Sequence, residues 1–314
     1  MATYCNENTM LWLDGAFVKA AEAKMDLYSQ SLHYGYSVFE GIRSYKTSGG
    51  KTKVFKDREH FERLKNSAHA INLPWHWTVE QLIDATYEIL ERNNLQDAYI
   101  RPVIFAPANM SFAQNTESHI TIQAWEMQPF LGDKLLRVMT SSFQRPNPKG
   151  FMIQAKAAGH YVNSILASQE AKTKGYDEAL LTDMNGFVAE GPGANVFYEK
   201  DGQLFTPAAG HILPGITRAT VLEICTELNI PVQEKLITRL EMQGSDAAFF
   251  CGTAAEIIGW ESFDDVPFKK NWSESLGKIV QDAYRDKVIE SGRYETSPGK
   301  RLKDTLTQLV GELQ

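Results

Sequence analysis

Lys156-Ala157-Ala158-Gly159-His160-Tyr161, with Gln154-Ala155 before it, sets a lysine among small residues just ahead of a helical pattern over 162–174. A lysine that acts as a nucleophile needs a water-poor pocket that lowers its basicity, and an aldehyde to react with. Small neighbours let a flat ring approach the backbone. Taken alone, the stretch reads as an ordinary surface lysine, so its meaning depends on what stands elsewhere in the chain.

Three other segments answer it. Glu190 precedes Gly191-Pro192-Gly193, where a predicted strand ends in a turn that aims a carboxylate inward. Leu213-Pro214-Gly215-Ile216-Thr217-Arg218 runs from a turn straight into a helix and exposes the N–H groups of Ile216 and Thr217, an anion-binding arrangement. Gly252-Thr253-Ala254-Ala255, after a predicted strand over 247–251, offers further amides and a hydroxyl. Arg63, on a helix predicted to be capped by Asp57, is a candidate cation. A lysine nucleophile, an acid for a ring nitrogen, and amides with a cation for a phosphate are the separate demands of pyridoxal 5'-phosphate.

A second cluster concerns carboxylates. Tyr99 and Arg101 stand two apart on a predicted strand, so both project from one face. A phenol beside a guanidinium suits a carboxylate; the competing reading is an ion pair between Arg101 and a nearby acid.

The bulk numbers bound these readings. The chain has 314 residues, 43% hydrophobic, 23% charged and 11% aromatic, which suits two packed domains. A net charge of −7 without a dense Lys/Arg run argues against nucleic acid or an anionic membrane as partner. The N-terminus has neither a basic start nor an apolar stretch, and no uncharged apolar run reaches the roughly 20 residues of a spanning helix. Cys5, Cys225 and Cys251 form no CxxC pair, which points to a reducing cytoplasm and no zinc site.

Along the chain, strands and helices alternate over 1–126, forming a small α/β domain. It begins with a hairpin, 11–13 and 16–18, around Asp14-Gly15, and Thr78 with Gln81 forms a capping box. The pattern weakens over 127–134, the expected linker. A larger domain over 135–297 is richer in short strands, with helices expected at 162–174, 216–228 and 273–289. Leu302, Leu306, Leu309, Val310 and Leu313 recur at helical spacing in a C-terminal extension over 298–314.

The motifs together resemble those of the fold-type-IV pyridoxal-phosphate aminotransferases, and within them the branched-chain amino-acid aminotransferases. The resemblance covers about 11–258. It is carried by His33 to Arg43 (His-Tyr-Gly-Tyr-Ser-Val-Phe-Glu-Gly-Ile-Arg), Tyr99-Ile100-Arg101-Pro102 and Lys156 to Tyr161, then by Glu190 to Phe197, Leu213 to Arg218 and Gly252 to Glu256. It implies an α+β fold, with the small N-terminal domain followed by a larger cofactor-binding domain of β-rich core and flanking helices. It also implies that Lys156 carries the cofactor as a Schiff base and shuttles the proton, Tyr161 meets the phenolate oxygen, and Glu190 pairs with the ring nitrogen. Arg63, Ile216, Thr217 and Thr253 would hold the phosphate and Leu213 would pack on the ring. Tyr99, Thr253 and Ala254 would take the substrate carboxylate, Arg101 the side-chain carboxylate of glutamate, and Phe39 and Gly41 would line the aliphatic pocket. Tyr34 would reach in from a neighbouring subunit, making a homodimer or higher homo-oligomer part of the mechanism. The implied reaction is a reversible ping-pong transfer of an amino group from L-leucine, L-isoleucine or L-valine to 2-oxoglutarate.

Some positions depart from the family's pattern: Ala194 where an acid is common, Met127 and Phe130 where tryptophan and tyrosine are common, and the loop over 106–115. These shape the substrate pocket. The alternatives are therefore a D-amino-acid or R-selective amine transaminase of the same fold and, in a different class, an aminodeoxychorismate lyase.

Overall fold

The computed structural model describes residues 4–127 and 134–290. Most of the expected linker, 128–133, and the expected helix over 298–314 lie outside the described residues. The chain divides into two compact units, Met1–Met127 with Val288–Gln314, and Gln128–Lys287, so the end of the last described helix groups with the first unit.

The first unit opens with the expected hairpin, β1 (Met10–Leu13) and β2 (Ala16–Lys19). Asp14 at φ 49° and Gly15 at φ 98° are both left-handed, as a two-residue turn between twisted strands requires. Next come α1 (Gln30–Tyr34), β3 (Ser37–Phe39), β4 (Ile42–Lys46), β5 (Thr52–Val54), α2 (Asp57–Ala70), α3 (Val79–Arg92), β6 (Ala98–Phe105) and β7 (His119–Glu126). Among the described residues the strands form one antiparallel sheet ordered β2-β1-β7-β6-β4-β5, with β3 also on β6.

Asp57 does not cap α2. Lys56 occupies the cap position in a left-handed conformation without a side-chain bond, and Asp57 is the first helical residue, its carboxylate accepting from the Arg58 N–H. A side-chain cap needs extended backbone at the cap residue, and Lys56 takes that position in another conformation. The carboxylates of Asp57 and Glu59 still favour the positive end of the helix. Phe61, Leu64 and Ala68, spaced three and four apart on one helical face, are fully buried, while Ile71 lies just past the helix end. The Thr78–Gln81 capping box of α3 is formed in both directions.

β6 decides the geometry of this unit. Ile100 and Ile104 are fully buried on one face, so Tyr99 and Arg101 share the other. β3 pairs with β6 from Val103 to Phe105 and β4 pairs with it from Ala98 to Ile100. Between these two pairings stands Pro102, which has no N–H for the ladder. Opposite it the chain breaks into the Glu40-Gly41 link, where the Glu40 N–H donates to the Pro102 carbonyl (2.9 Å).

The second unit contains β8 (Leu136–Gln144), α4 (Tyr161–Thr173), β9 (Glu178–Thr182), β10 (Val188–Glu190), β11 (Asn195–Lys200), β12 (Gln203–Pro207), α5 (Ile216–Glu227), β13 (Val232–Lys235), α6 (Arg239–Gln243), β14 (Ala247–Gly252), β15 (Glu256–Phe263), β16 (Val266–Pro267) and α7 (Leu276–Ile289). Its described strands run β10-β9-β8-β15-β14-β11-β12-β13 with β16 on β15, mixing parallel and antiparallel pairs. The core gathers Val138, Leu180, Val196, Phe250, Trp260 and Phe263. Ala167 and Ala171 of α4 pack on Met139, Ala179 and Leu181 of β8 and β9, where their small side chains bring helix and sheet close. Cys225 and Cys251 are buried, and burial pushes the Cys225 thiol up to about 11.

Candidate active site

In the second unit, Lys156 follows the buried Ala155 and precedes the buried Ala157, with a single 3-10 turn (Ala158–His160) leading into α4. That turn brings Tyr161, the first residue of α4, back onto the lysine: Nζ donates to the Tyr161 hydroxyl at 2.8 Å. Burial, helped by the Arg145 cation, pushes the intervening His160 below the ordinary imidazole range.

Glu190 ends β10 with only 5% of its surface exposed. Arg145 Nε lies 2.8 Å from one carboxylate oxygen, Asn195 Nδ2 donates to the other at 3.0 Å, and the Leu213 N–H reaches both at 3.1–3.2 Å. Asn195 also donates to the Leu213 carbonyl (3.1 Å), so the turn before α5 is latched to Glu190 through backbone and side chain. Gly215 is required here for space: a Cβ would lie 1.9 Å from Asn195 Oδ1.

α5 begins at Ile216 with no side-chain cap and no acid in its first turn, which leaves its positive end to an anion. Thr217 is 4% exposed. Thr253 and Ala254 occupy the tight turn between β14 and β15, and the Asn195–Cys251 pairing sets that turn beside the one between Glu190 and Asn195.

In the first unit, Phe39, Gly41, Tyr99 and Arg101 come together. Arg101 Nη2 donates to the Tyr99 hydroxyl (3.1 Å), and its guanidinium carbon lies 4.5 Å from the centre of the Phe39 ring. The Tyr99 hydroxyl rests on Gly41, where a Cβ would be only 1.9 Å away. Arg101 Nε is buried without a hydrogen-bond partner, and no acid pairs with Arg101 among the described residues, against the ion-pair alternative. Arg63, on α2, takes Glu40 through Nε (2.6 Å) and Nη2 (2.9 Å). Tyr34 closes α1, 47% exposed, against the ring of Phe112, which is 92% exposed.

Arg145, which meets Glu190, and His60, which meets Glu40, carry no sequence signal of a role; Asn195 and Glu40 stand inside the motifs, but nothing in their local pattern marks what they hold. Arg145 stands one residue past β8 and meets Glu190 only because β8, β9 and β10 are neighbours in the sheet.

A lysine paired with a phenol, and a clamped carboxylate elsewhere in the same unit, are groups that amine chemistry on a carbonyl can use. The family model for amino-transferase class IV matches residues 37–263. A branched-chain-amino-acid aminotransferase of Pseudomonas aeruginosa is 39% identical over 292 residues, covering 91% of this chain and 94% of the relative. The crystal structure of a branched-chain aminotransferase from Thermoproteus uzoniensis with norvaline matches with a TM-score of 0.86 and 38% identity, covering 90% of this chain and 95% of that one. That of the branched-chain amino acid aminotransferase from Thermobaculum terrenum in its PLP-form (holo-form) matches with a TM-score of 0.85 and 33% identity, covering 92% and 97%. The chain is therefore a member of the class IV amino-transferases. Within that class it belongs to the branched-chain-amino-acid aminotransferase family, and it is an enzyme of that kind.

Proposed function

We propose that this enzyme exchanges amino groups between L-leucine, L-isoleucine or L-valine and 2-oxoglutarate, using pyridoxal 5'-phosphate. One observation carries the substrate assignment: the Arg101 guanidinium lies on Phe39 beside Tyr99, with no acid of its own among the described residues. An apolar side chain finds an aromatic wall there, and a side-chain carboxylate finds an unpaired cation and a phenol. That combination fits a site that accepts both a branched aliphatic chain and a dicarboxylate.

The residues of the second unit fit the cofactor. The small neighbours of Lys156 admit a flat ring, and the buried Glu190, held by an arginine and two N–H donors, is a charged acceptor suited to a protonated ring nitrogen. Lys156 would hold the cofactor's aldehyde carbon, with Tyr161 at its phenolate oxygen and Leu213 against the ring. Ile216, Thr217, Thr253 and Arg63 would hold its phosphate. When bound, the cofactor supplies an electrophilic carbon and an electron-withdrawing ring that acidifies the substrate's Cα–H. The Lys156 amine would take and return that proton, oriented by the Tyr161 hydroxyl to which it donates at 2.8 Å. Thr253, Ala254 and Tyr99 would bind the α-carboxylate.

The same reading makes the enzyme a homodimer or higher homo-oligomer, in which Tyr34 serves the site of the neighbouring copy. Its exposure beside the exposed Phe112 supports this. Sedimentation should give a mass of about 70 kDa, twice 35.3 kDa, or a multiple of it; a 35.3 kDa species at micromolar concentration would overturn it.

The substrate test follows the visible absorption of the holoenzyme on addition of L-leucine, L-isoleucine, L-valine, their D-isomers and (R)-1-phenylethylamine. The L-branched amino acids should convert the band within the dead time of manual mixing. A band that responds only to D-isomers or to the amine would reassign the substrate, and product formed without an amino acceptor would indicate a lyase. Replacing Arg101 by Gln should raise KM for 2-oxoglutarate roughly tenfold or more, while KM for 4-methyl-2-oxopentanoate changes little.

A further inference from the structure

Glu40 is fully buried in the link between β3 and β4, and none of the chemistry above uses it. Its carboxylate receives the Nε–Nη2 edge of Arg63 at 2.6 and 2.9 Å, and His60 Nδ1 lies 2.7 Å from Oε2. Oε2 also accepts from the Gly41 N–H at 3.1 Å. Burial alone would push this carboxyl up; Arg63 and His60 outweigh burial and hold it well below the usual carboxylate range.

An ion pair kept only for packing is replaceable by apolar side chains of the same volume at little cost. A bidentate contact does something apolar packing cannot: it fixes both the plane and the direction of a guanidinium. It also removes beforehand the rotamer entropy that a long, flexible arginine otherwise loses on meeting an anion. Glu40 is well built for this, because its own backbone is pinned to Pro102 and its carboxylate to Gly41.

We propose that Glu40 is a positioning residue, which sets the Arg63 guanidinium in the orientation in which that cation meets the cofactor's phosphate. The inference rests on the role given to Arg63 under Proposed function.

The test strips the full-length enzyme of cofactor and titrates it with pyridoxal 5'-phosphate and, separately, with pyridoxal, which lacks the phosphate. The visible band reports binding. Glu40→Gln, nearly isosteric, should weaken pyridoxal phosphate binding roughly tenfold and leave pyridoxal binding unchanged, the size expected for a mis-set charged hydrogen bond. Arg63→Lys keeps the charge but loses the fork, and should give the same phosphate-selective loss. The double variant should bind no more weakly than Arg63→Lys alone, because Glu40 acts through Arg63. Equal losses for the two ligands, an unchanged affinity for pyridoxal phosphate, or additive losses in the double variant would each overturn the proposal. Should Glu40→Gln fail to fold, Glu40→Asp, which keeps the charge and retracts it, stands in with the same criteria. A wild-type protein that gives no band with pyridoxal phosphate would instead overturn the cofactor reading itself.

Discussion

At the scale of single residues, two contacts make sharp predictions. Lys156 and Tyr161 touch at 2.8 Å. Lys156→Ala should reduce turnover to background while the protein stays folded, because the side chain it loses is only partly buried. Tyr161→Phe keeps the ring and loses one hydroxyl, so kcat/KM should fall roughly ten- to a hundredfold. A Tyr161→Phe enzyme with wild-type kinetics would remove Tyr161 from the mechanism. Gly41→Ala drives a methyl into the Tyr99 hydroxyl, 1.9 Å from the ideal Cβ position, and that phenol also anchors Arg101. The variant should raise KM for both classes of substrate; unchanged kinetics would mean that Tyr99 moves aside without consequence. Lys156, Glu190 and the two anion-binding turns are legible in the sequence because each sits in a local pattern of small residues, glycines or a helix start. Arg145 is not, since nothing near Gln144 marks it and its tie to Glu190 exists only across neighbouring strands.

At the scale of elements, local rules succeed where the backbone is regular. The Asp14-Gly15 turn and the Thr78–Gln81 box are both formed as expected, and the apolar spacing of α2 marks its buried face. Two failures have physical causes. Lys56 is left-handed, so Asp57 enters the helix and does not cap it. β3 and β4 escape notice because they are short strands separated where Pro102 interrupts the ladder, and they are buried on both sides, which removes the alternation that marks a strand. The box itself is testable. Thr78→Ala removes the side-chain acceptor of the Gln81 N–H and should lower stability by about 1 kcal/mol, read as a lower urea midpoint at unchanged slope. Activity should stay at the wild-type level, since α3 packs behind the sheet against β7 and β1. A variant as stable as wild type would show that tertiary packing alone sets where α3 begins.

At the scale of the whole molecule, the same paired carboxylates that order the structure make it sensitive to acid. Glu40 is held well below the ordinary range: burial opposes this, and the neighbouring Arg63 and His60 prevail. Burial also acts to raise Glu170, but Lys174, Ser141 and Ser142 together bring it to about 2, and through Ser141 it ties α4 to β8. Glu241, bonded to Lys235 and to Thr238, is also at about 2. For each, the folded value lies below the unfolded value of roughly 4.3. Their stabilisation is therefore fully present above that pH and is lost as pH falls through it towards the folded values. Glu178 works in the opposite sense, because burial raises its carboxyl and favours the folded state as pH falls, but it is one group against three. The urea midpoint should accordingly drop steeply between about pH 4.5 and 2.5, after a smaller decline below about pH 6.5 from His160, whose imidazole is held below its ordinary range. Glu40→Gln should soften that drop, since its side chain cannot be protonated in this range. A midpoint unchanged down to pH 3, or a drop equally steep in Glu40→Gln, would mean that the buried Glu40–Arg63–His60 cluster contributes nothing to stability beyond filling its space.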